Sequence, residues 1–199
     1  ILYTQCGTLD FNLGDIATGM LPHTSTPLLV AVCYVLFVLG LAKAALMPLH
    51  GWLPAAMVAP APVSALLHAV VVVKVGVFCI CRVMLSVFGT DVLARLNLGL
   101  LTAYAAMLTI IVASLLAMTK TDLKARLAYS TVSQLSYIIL GVALLSRSGI
   151  IGGLFHIPAH AVSKITLFFC AGAIFAMTGK KDIRDMGGLG LQIPWVFAA

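Results

Sequence analysis

The stretch VSALLHAVVVVKVGVFCICRV, residues 63–83, decides how this chain is read, because it is an apolar run with Lys74 at its middle. Lys74 is about twelve residues, roughly 18 Å of helix, from either end of a run that extends to Phe88. That is beyond the reach of a lysine stretching to the membrane surface. Two further runs repeat the anomaly. Lys43 closes LLVAVCYVLFVLGLAKAAL (28–46), and Lys164 follows two histidines in GLFHIPAHAVSKITLFFCAGAIF (153–175), with no Asp or Glu in any of the three. A charge at the centre of a bilayer costs at least about 2.5–3.5 kcal/mol, so such lysines mark function by default. Three of them point to an ion or proton pathway.

Composition supports a lipid solvent. The chain has 199 residues, 62% hydrophobic and 9% charged, with a mean hydropathy of +1.13. A soluble domain carries roughly 25% charged residues, so too few are present to solvate a fold of this size. The net charge of +6 is scattered among loops and helix centres and forms no nucleic-acid footprint. The cysteines are embedded mostly in apolar runs without metal-ligand spacing, and read as small packing residues. No signal-peptide pattern is present. The polar opening ILYTQCGTLDFNLGD and the apolar close IPWVFAA predict an internal piece of a longer membrane protein.

A span needs about 20 apolar residues. Five are expected, at about Pro27–Leu46, Val63–Phe88, Val92–Met118, Leu123–Leu145 and Gly149–Thr178. The predicted fold is all-α, a polytopic transmembrane helix bundle with one broken helix. Residues 1–26 read as an extramembrane loop, 27–178 as a partial translocating region, and 179–199 as a cytoplasmic loop leading into another helix. The break falls in MPLHGWLPAAMVAPAPV (47–63), because Pro48 and Pro54 cannot continue a hydrogen-bonded helix. Loops reached after the first, third and fifth spans hold Lys120, Lys124, Arg126, Lys180, Lys181 and Arg184, against Arg82, Arg95 and Arg147 on the other side. The positive-inside rule makes the first side cytoplasmic.

Candidate relay residues follow from helical spacing. His156, His160 and Lys164 repeat every four residues and share one helix face. Neutral imidazole both donates and accepts a proton, and desolvation disfavours the charged form of an amine. The ladder therefore suits proton transfer, with packing by interhelical hydrogen bonds as the alternative. Zinc would need ligands that no motif supplies, and two histidines one turn apart cannot ligate opposite faces of a haem. No metal and no cofactor is expected, and no redox or hydrolytic site is visible. His68 lies six residues before Lys74, roughly 240° around a helix, so the two face different neighbours. Tyr129, Ser130, Ser133, Gln134 and Tyr137 form a polar stripe on the fourth span, which belongs against a neighbouring helix or hydrated cavity. Lys43, near a span end, is also open to snorkelling. All six aspartates fall in loops or at span ends, so any buried carboxylate partner of a lysine is expected outside this chain.

The segments GLAKAALMPLHGWLPAAMVAPAPVSALLHAVVVVKVGVF (40–78), LKARLAYSTVSQLSYIILG (123–141) and HIPAHAVSKITLFFCAGAI (156–174) resemble the antiporter-like subunits of Mrp cation/proton antiporters and of proton-pumping NADH:quinone oxidoreductase. The wording of STVSQLSYIILG and KITLFFCAGAI looks most like the D-type subunit of the Mrp antiporter. The resemblance implies a fourteen-helix subunit, of which this chain would be the seventh to eleventh helices. It implies that Lys43 is the lysine of the broken seventh helix, paired with a glutamate outside this chain, and that Lys74 is the central lysine of the eighth. It implies that His68 links the two, and that His156, His160 and Lys164 form the face of the eleventh helix. Pro158 departs from a regular helix there and is expected to kink it. Implied partners are other membrane subunits of an antiporter or respiratory complex, with protons and sodium or potassium as the ions moved. The implied location is the bacterial plasma membrane. A lipid-binding scaffold is a third reading, which would need its lysines at headgroup level.

Overall fold

The computed structural model describes residues 16–21, 26–67 and 71–198, and the described elements are helices and turns joined by loops. Helix α1, Pro27–Gly40, opens with proline in its first turn, where a missing N–H costs nothing. It stops at Leu41, and a single 3₁₀ turn, Ala42–Ala44, carries Lys43. Ala45 then takes a left-handed backbone conformation at φ 56°. The chain resumes in the short helices α2 (Trp52–Ala55) and α3 (Ala61–Ala65). The broken helix is therefore present, but the break begins at Leu41, inside the expected first span Pro27–Leu46, and α3 overlaps the start of the second expected span Val63–Phe88.

Backbone groups freed by a break inside a membrane need partners from the protein. Two are visible. The Trp52 indole donates to the Ala42 carbonyl at 3.1 Å, and the Met47 N–H donates to Thr109 Oγ1 at 3.3 Å.

Helix α4, Val72–Arg82, continues as a π-helical turn, Val83–Phe88. Helix α5 covers Thr90–Arg95, and α6 covers Leu98–Thr119. The third expected span is therefore divided, and the cause is Asn97, which adopts φ 54° and resets the helix axis. Helix α7, Leu123–Ala143, is capped by Asp122 Oδ1 accepting from the Ala125 N–H at 2.9 Å. Helix α8, Arg147–Thr178, has 32 residues, is capped by Ser146 and holds Pro158 inside it. By length and composition α6 and α8 are apolar enough to cross a membrane. Helix α7 is nearly as long as α6 but carries the polar stripe together with Lys124 and Arg126.

The antiparallel pair α7 and α8 packs through glycine. A Cβ on Gly141 would meet the Gly149 carbonyl at 2.8 Å, and one on Gly153 would meet the Ile138 carbonyl at 2.9 Å. Small residues let helices approach where no hydrophobic force separates lipid from protein. Helix α6 packs on the other side of α7 and presents Leu100, Leu101, Leu108, Ile111 and Leu115 outward. A continuous apolar belt of that size suits lipid or a partner helix, not water.

Loops after the first, third and fifth expected spans meet at one end of the bundle. The Leu123 N–H donates to the Lys181 carbonyl, the Ile183 N–H donates to the Thr121 carbonyl, and Lys124 Nζ donates to the Ala59 carbonyl. Their meeting fixes the alternating up-and-down course of the chain.

Candidate proton-relay site

Lys74 and Lys164 are buried, at 6% and 5% exposure, and His160 is buried at 4%. Lys74 stands in the first turn of α4. Its Nζ donates to the Ile157 carbonyl at 2.9 Å, on the residue that precedes Pro158. Proline has no N–H to give and disturbs the preceding turn of its helix. Helix α8 nevertheless runs as one helix from Arg147 to Thr178 through Pro158, and the lysine of α4 docks on the carbonyl one residue before that proline.

The ladder faces α7. His156 Nε2 lies 2.8 Å from Gln134 Oε1. Lys164 Nζ donates to the Leu127 carbonyl at 3.3 Å and to Ser130 Oγ. The rings of His156 and His160 stack with centroids 5.9 Å apart and planes within 17°. Both nitrogens of His160 are buried, and neither has a hydrogen-bond partner among the described residues. Neither lysine meets a carboxylate among the described residues.

Beside this row lies an open cleft of about 760 Å³, lined among others by Ser114, Arg126, Ser130, Ser133 and Gln134. Its polar wall thus ends on the two side chains that hold Lys164 and His156. Ser133 also shares a hydrogen bond with Ser114 of α6 at 2.9 Å.

Lys43 differs from the other two. It is exposed on its 3₁₀ turn, but the turn itself is pressed onto α4. A Cβ on Gly76 would meet the Ala44 nitrogen and the Lys43 carbonyl carbon at 2.6 Å each. Gly76 is two residues along α4 from Lys74, so Lys43 and Lys74 belong to one packed junction. His68 lies outside the described residues. The stripe on α7 is divided in use: Ser130 and Gln134 serve the ladder, Tyr137 is exposed, and Tyr129 faces His50 with ring centroids 6.3 Å apart. Sequence reasoning passed over His50, whose Nδ1 is buried without a hydrogen-bond partner among the described residues. A lone histidine in a proline-rich segment carries no periodicity that would single it out.

The family model "NADH:quinone oxidoreductase/Mrp antiporter, TM" matches residues 1–199. The chain is 36% identical over 198 residues to the NADH-ubiquinone oxidoreductase chain 5 of Metridium senile, covering 98% of this chain and 31% of that one. It is 42% identical over 156 residues to a probable K(+)/H(+) antiporter component of Rhizobium meliloti (strain 1021), covering 78% of this chain and 15% of that one. Among solved structures it is similar to the membrane-bound sulfane sulfur reductase, an archaeal respiratory membrane complex. There the TM-score is 0.81 at 30% identity, covering 98% of this chain and 39% of that one. The chain thus spans a third or less of the curated relatives named here.

Proposed function

Because the chain belongs to the transmembrane family of NADH:quinone oxidoreductase and Mrp antiporter subunits, we propose that it is the proton-translocating part of a monovalent cation/proton antiporter subunit. The observation that carries the reading is the row of buried amines and imidazoles running from α4 to α8. Protons pass in sequence along Lys43, Lys74 and Lys164, with His68, His156 and His160 as intermediate carriers. The cleft ending at Ser130 and Gln134 supplies hydration from the Arg126 end of the bundle.

Residues 27–178 form the translocating region, flanked by an extramembrane loop over 1–26 and by a loop and the start of another helix over 179–199. Lys120, Lys124, Arg126, Lys180, Lys181 and Arg184 stand at the end where three loops meet, against three arginines at the other, so that end is cytoplasmic. The antiporter relative from Rhizobium meliloti supports a bacterial plasma membrane. Its partners are the other membrane subunits of such a complex. A second reading, a proton-pumping subunit of a respiratory complex, is supported by the Metridium senile relative. It uses the same row of residues with a redox partner as the source of drive.

Lys74→Ala in the full-length subunit, assembled in its complex, tests the proposal. Proton-coupled transport into vesicles should disappear while assembly is retained. Transport at the unaltered rate would remove Lys74 from the path and the reading with it. Identifying the co-purifying subunits separates the two drives.

A further inference from the structure

A second cavity, of about 300 Å³, lies at the end of the bundle where the loops meet and takes no part in the relay. Its lining includes Met57, Val58, Lys124, Phe175, Lys180 and Lys181. The antiparallel bridge between Asp122 and Asp182 ties the start of α7 to the segment after α8, and so brings Lys124 of α7 together with Lys180 and Lys181. Lys124 Nζ donates to the Ala59 carbonyl at 3.2 Å and Lys180 Nζ to the Asp185 carbonyl at 2.6 Å. Lys181 Nζ stands 5.1 Å from the centroid of the Phe175 ring. An ammonium has three hydrogens to donate, and none of these contacts neutralises its charge. One carboxylate, Asp122, also lines the cavity, with its Oδ1 held by the Ala125 N–H at the start of α7. Three cations thus face one engaged anion. The remaining lining is apolar: Val58 is 94% exposed, and Phe175 is exposed beside it.

Cations beside an exposed apolar wall, at the level where α7 begins and α8 ends, match a molecule that is anionic at one end and hydrocarbon at the other. Basic pockets between helices on the cytoplasmic side bind such headgroups. We propose that this cavity binds one anionic glycerophospholipid, its phosphate diester among Lys124, Lys180 and Lys181 and an acyl chain along Val58 and Phe175. Inorganic phosphate would satisfy the lysines and leave the apolar wall unused. The inference does not rest on the relay and can fail or hold independently of it.

The test uses the full-length subunit in its complex, stripped of lipid in an uncharged detergent and titrated with dioleoylphosphatidylglycerol, with adducts read by native mass spectrometry. The wild type should bind phosphatidylglycerol in preference to dioleoylphosphatidylcholine. Each lysine removed should weaken that binding about fivefold, so Lys124→Gln with Lys181→Gln should lower it roughly 25-fold. Lys124→Arg with Lys181→Arg keeps both charges and should retain binding, which separates loss of charge from loss of fold. Arg95→Gln with Arg147→Gln, at the other end, should change nothing. Equal binding of the two lipids, or unchanged binding in the glutamine pair, overturns the proposal. Displacement of the lipid by inorganic phosphate at equal concentration would make this a small-anion site and overturn it as well.

Discussion

Lys74 Nζ and the Ile157 carbonyl are 2.9 Å apart, and this one contact joins α4 to α8 at the proline of the longer helix. The lysine that the sequence marks as central is therefore held by backbone, not by a carboxylate. A carbonyl orients the amine without fixing its charge, which is compatible with the proton-carrier role proposed for Lys74.

Pro158→Ala should return an N–H that donates to the Leu154 carbonyl one turn earlier, and so shift the backbone that carries the Ile157 carbonyl. Displacement of the Ile157 carbonyl by about an ångström is enough to cost up to roughly a hundredfold in a positioned reaction. We expect proton transport to fall by about ten- to a hundredfold with assembly intact, measured with a pH-sensitive dye in proteoliposomes. Unchanged transport would mean that Pro158 has no part in placing Lys74.

Gln134→Leu removes the amide beside His156 while nearly conserving volume. The lost hydrogen bond is worth about 0.5–1.5 kcal/mol net, and transport should drop by about two- to tenfold. Gln134→Asn, which keeps the amide on a shorter arm, is expected to recover part of the loss.

Ser130→Ala leaves Lys164 with the Leu127 carbonyl alone. Withdrawing a partner from a buried cation should destabilise the protein by about 1–3 kcal/mol, visible as a lower thermal midpoint. Ser130→Thr restores a hydroxyl and should reverse most of the fall.

Gly76→Ala places a methyl group against the backbone of Lys43 and Ala44, where an ideal Cβ would stand 2.6 Å from the nearest atoms. Overpacking of this kind costs about 1–3 kcal/mol. Gly152→Ala, which meets nothing within 4 Å, should instead be neutral or stabilising by up to about 1 kcal/mol, as a glycine replaced inside a helix. Thermal unfolding of the two variants checks the contrast.

The polar stripe of α7 shows how far linear reasoning reaches. Helical spacing put Ser130 and Gln134 on one face and required a partner for that face. It could not name His156 and Lys164 as the partners, because the pairing depends on how α7 and α8 slide against each other. That slide is set by the glycine contacts at Gly141, Gly149 and Gly153. The division of the third span at Asn97 was hidden for a similar reason, since an apolar run reads alike whether or not one residue turns left-handed. The exposure of Lys43 follows from the 3₁₀ turn, whose direction the nearby prolines make irregular without specifying.

By itself the sequence determined the solvent and the class of the protein, an all-helical membrane bundle with a break near Pro48 and Pro54, because apolar run length and proline position are local properties; that the helix already stops at Gly40 was decided by the structure. It also determined which amines and imidazoles are costly to bury, since that follows from charge and setting. The tertiary structure alone decided who meets whom: Lys74 with Ile157, His156 with Gln134, and Lys164 with Ser130. It also placed the lysines after α6 and α8 around one cavity. Those pairings arise from helix register and loop docking, which depend on contacts between residues far apart in the chain and leave no periodic trace along it.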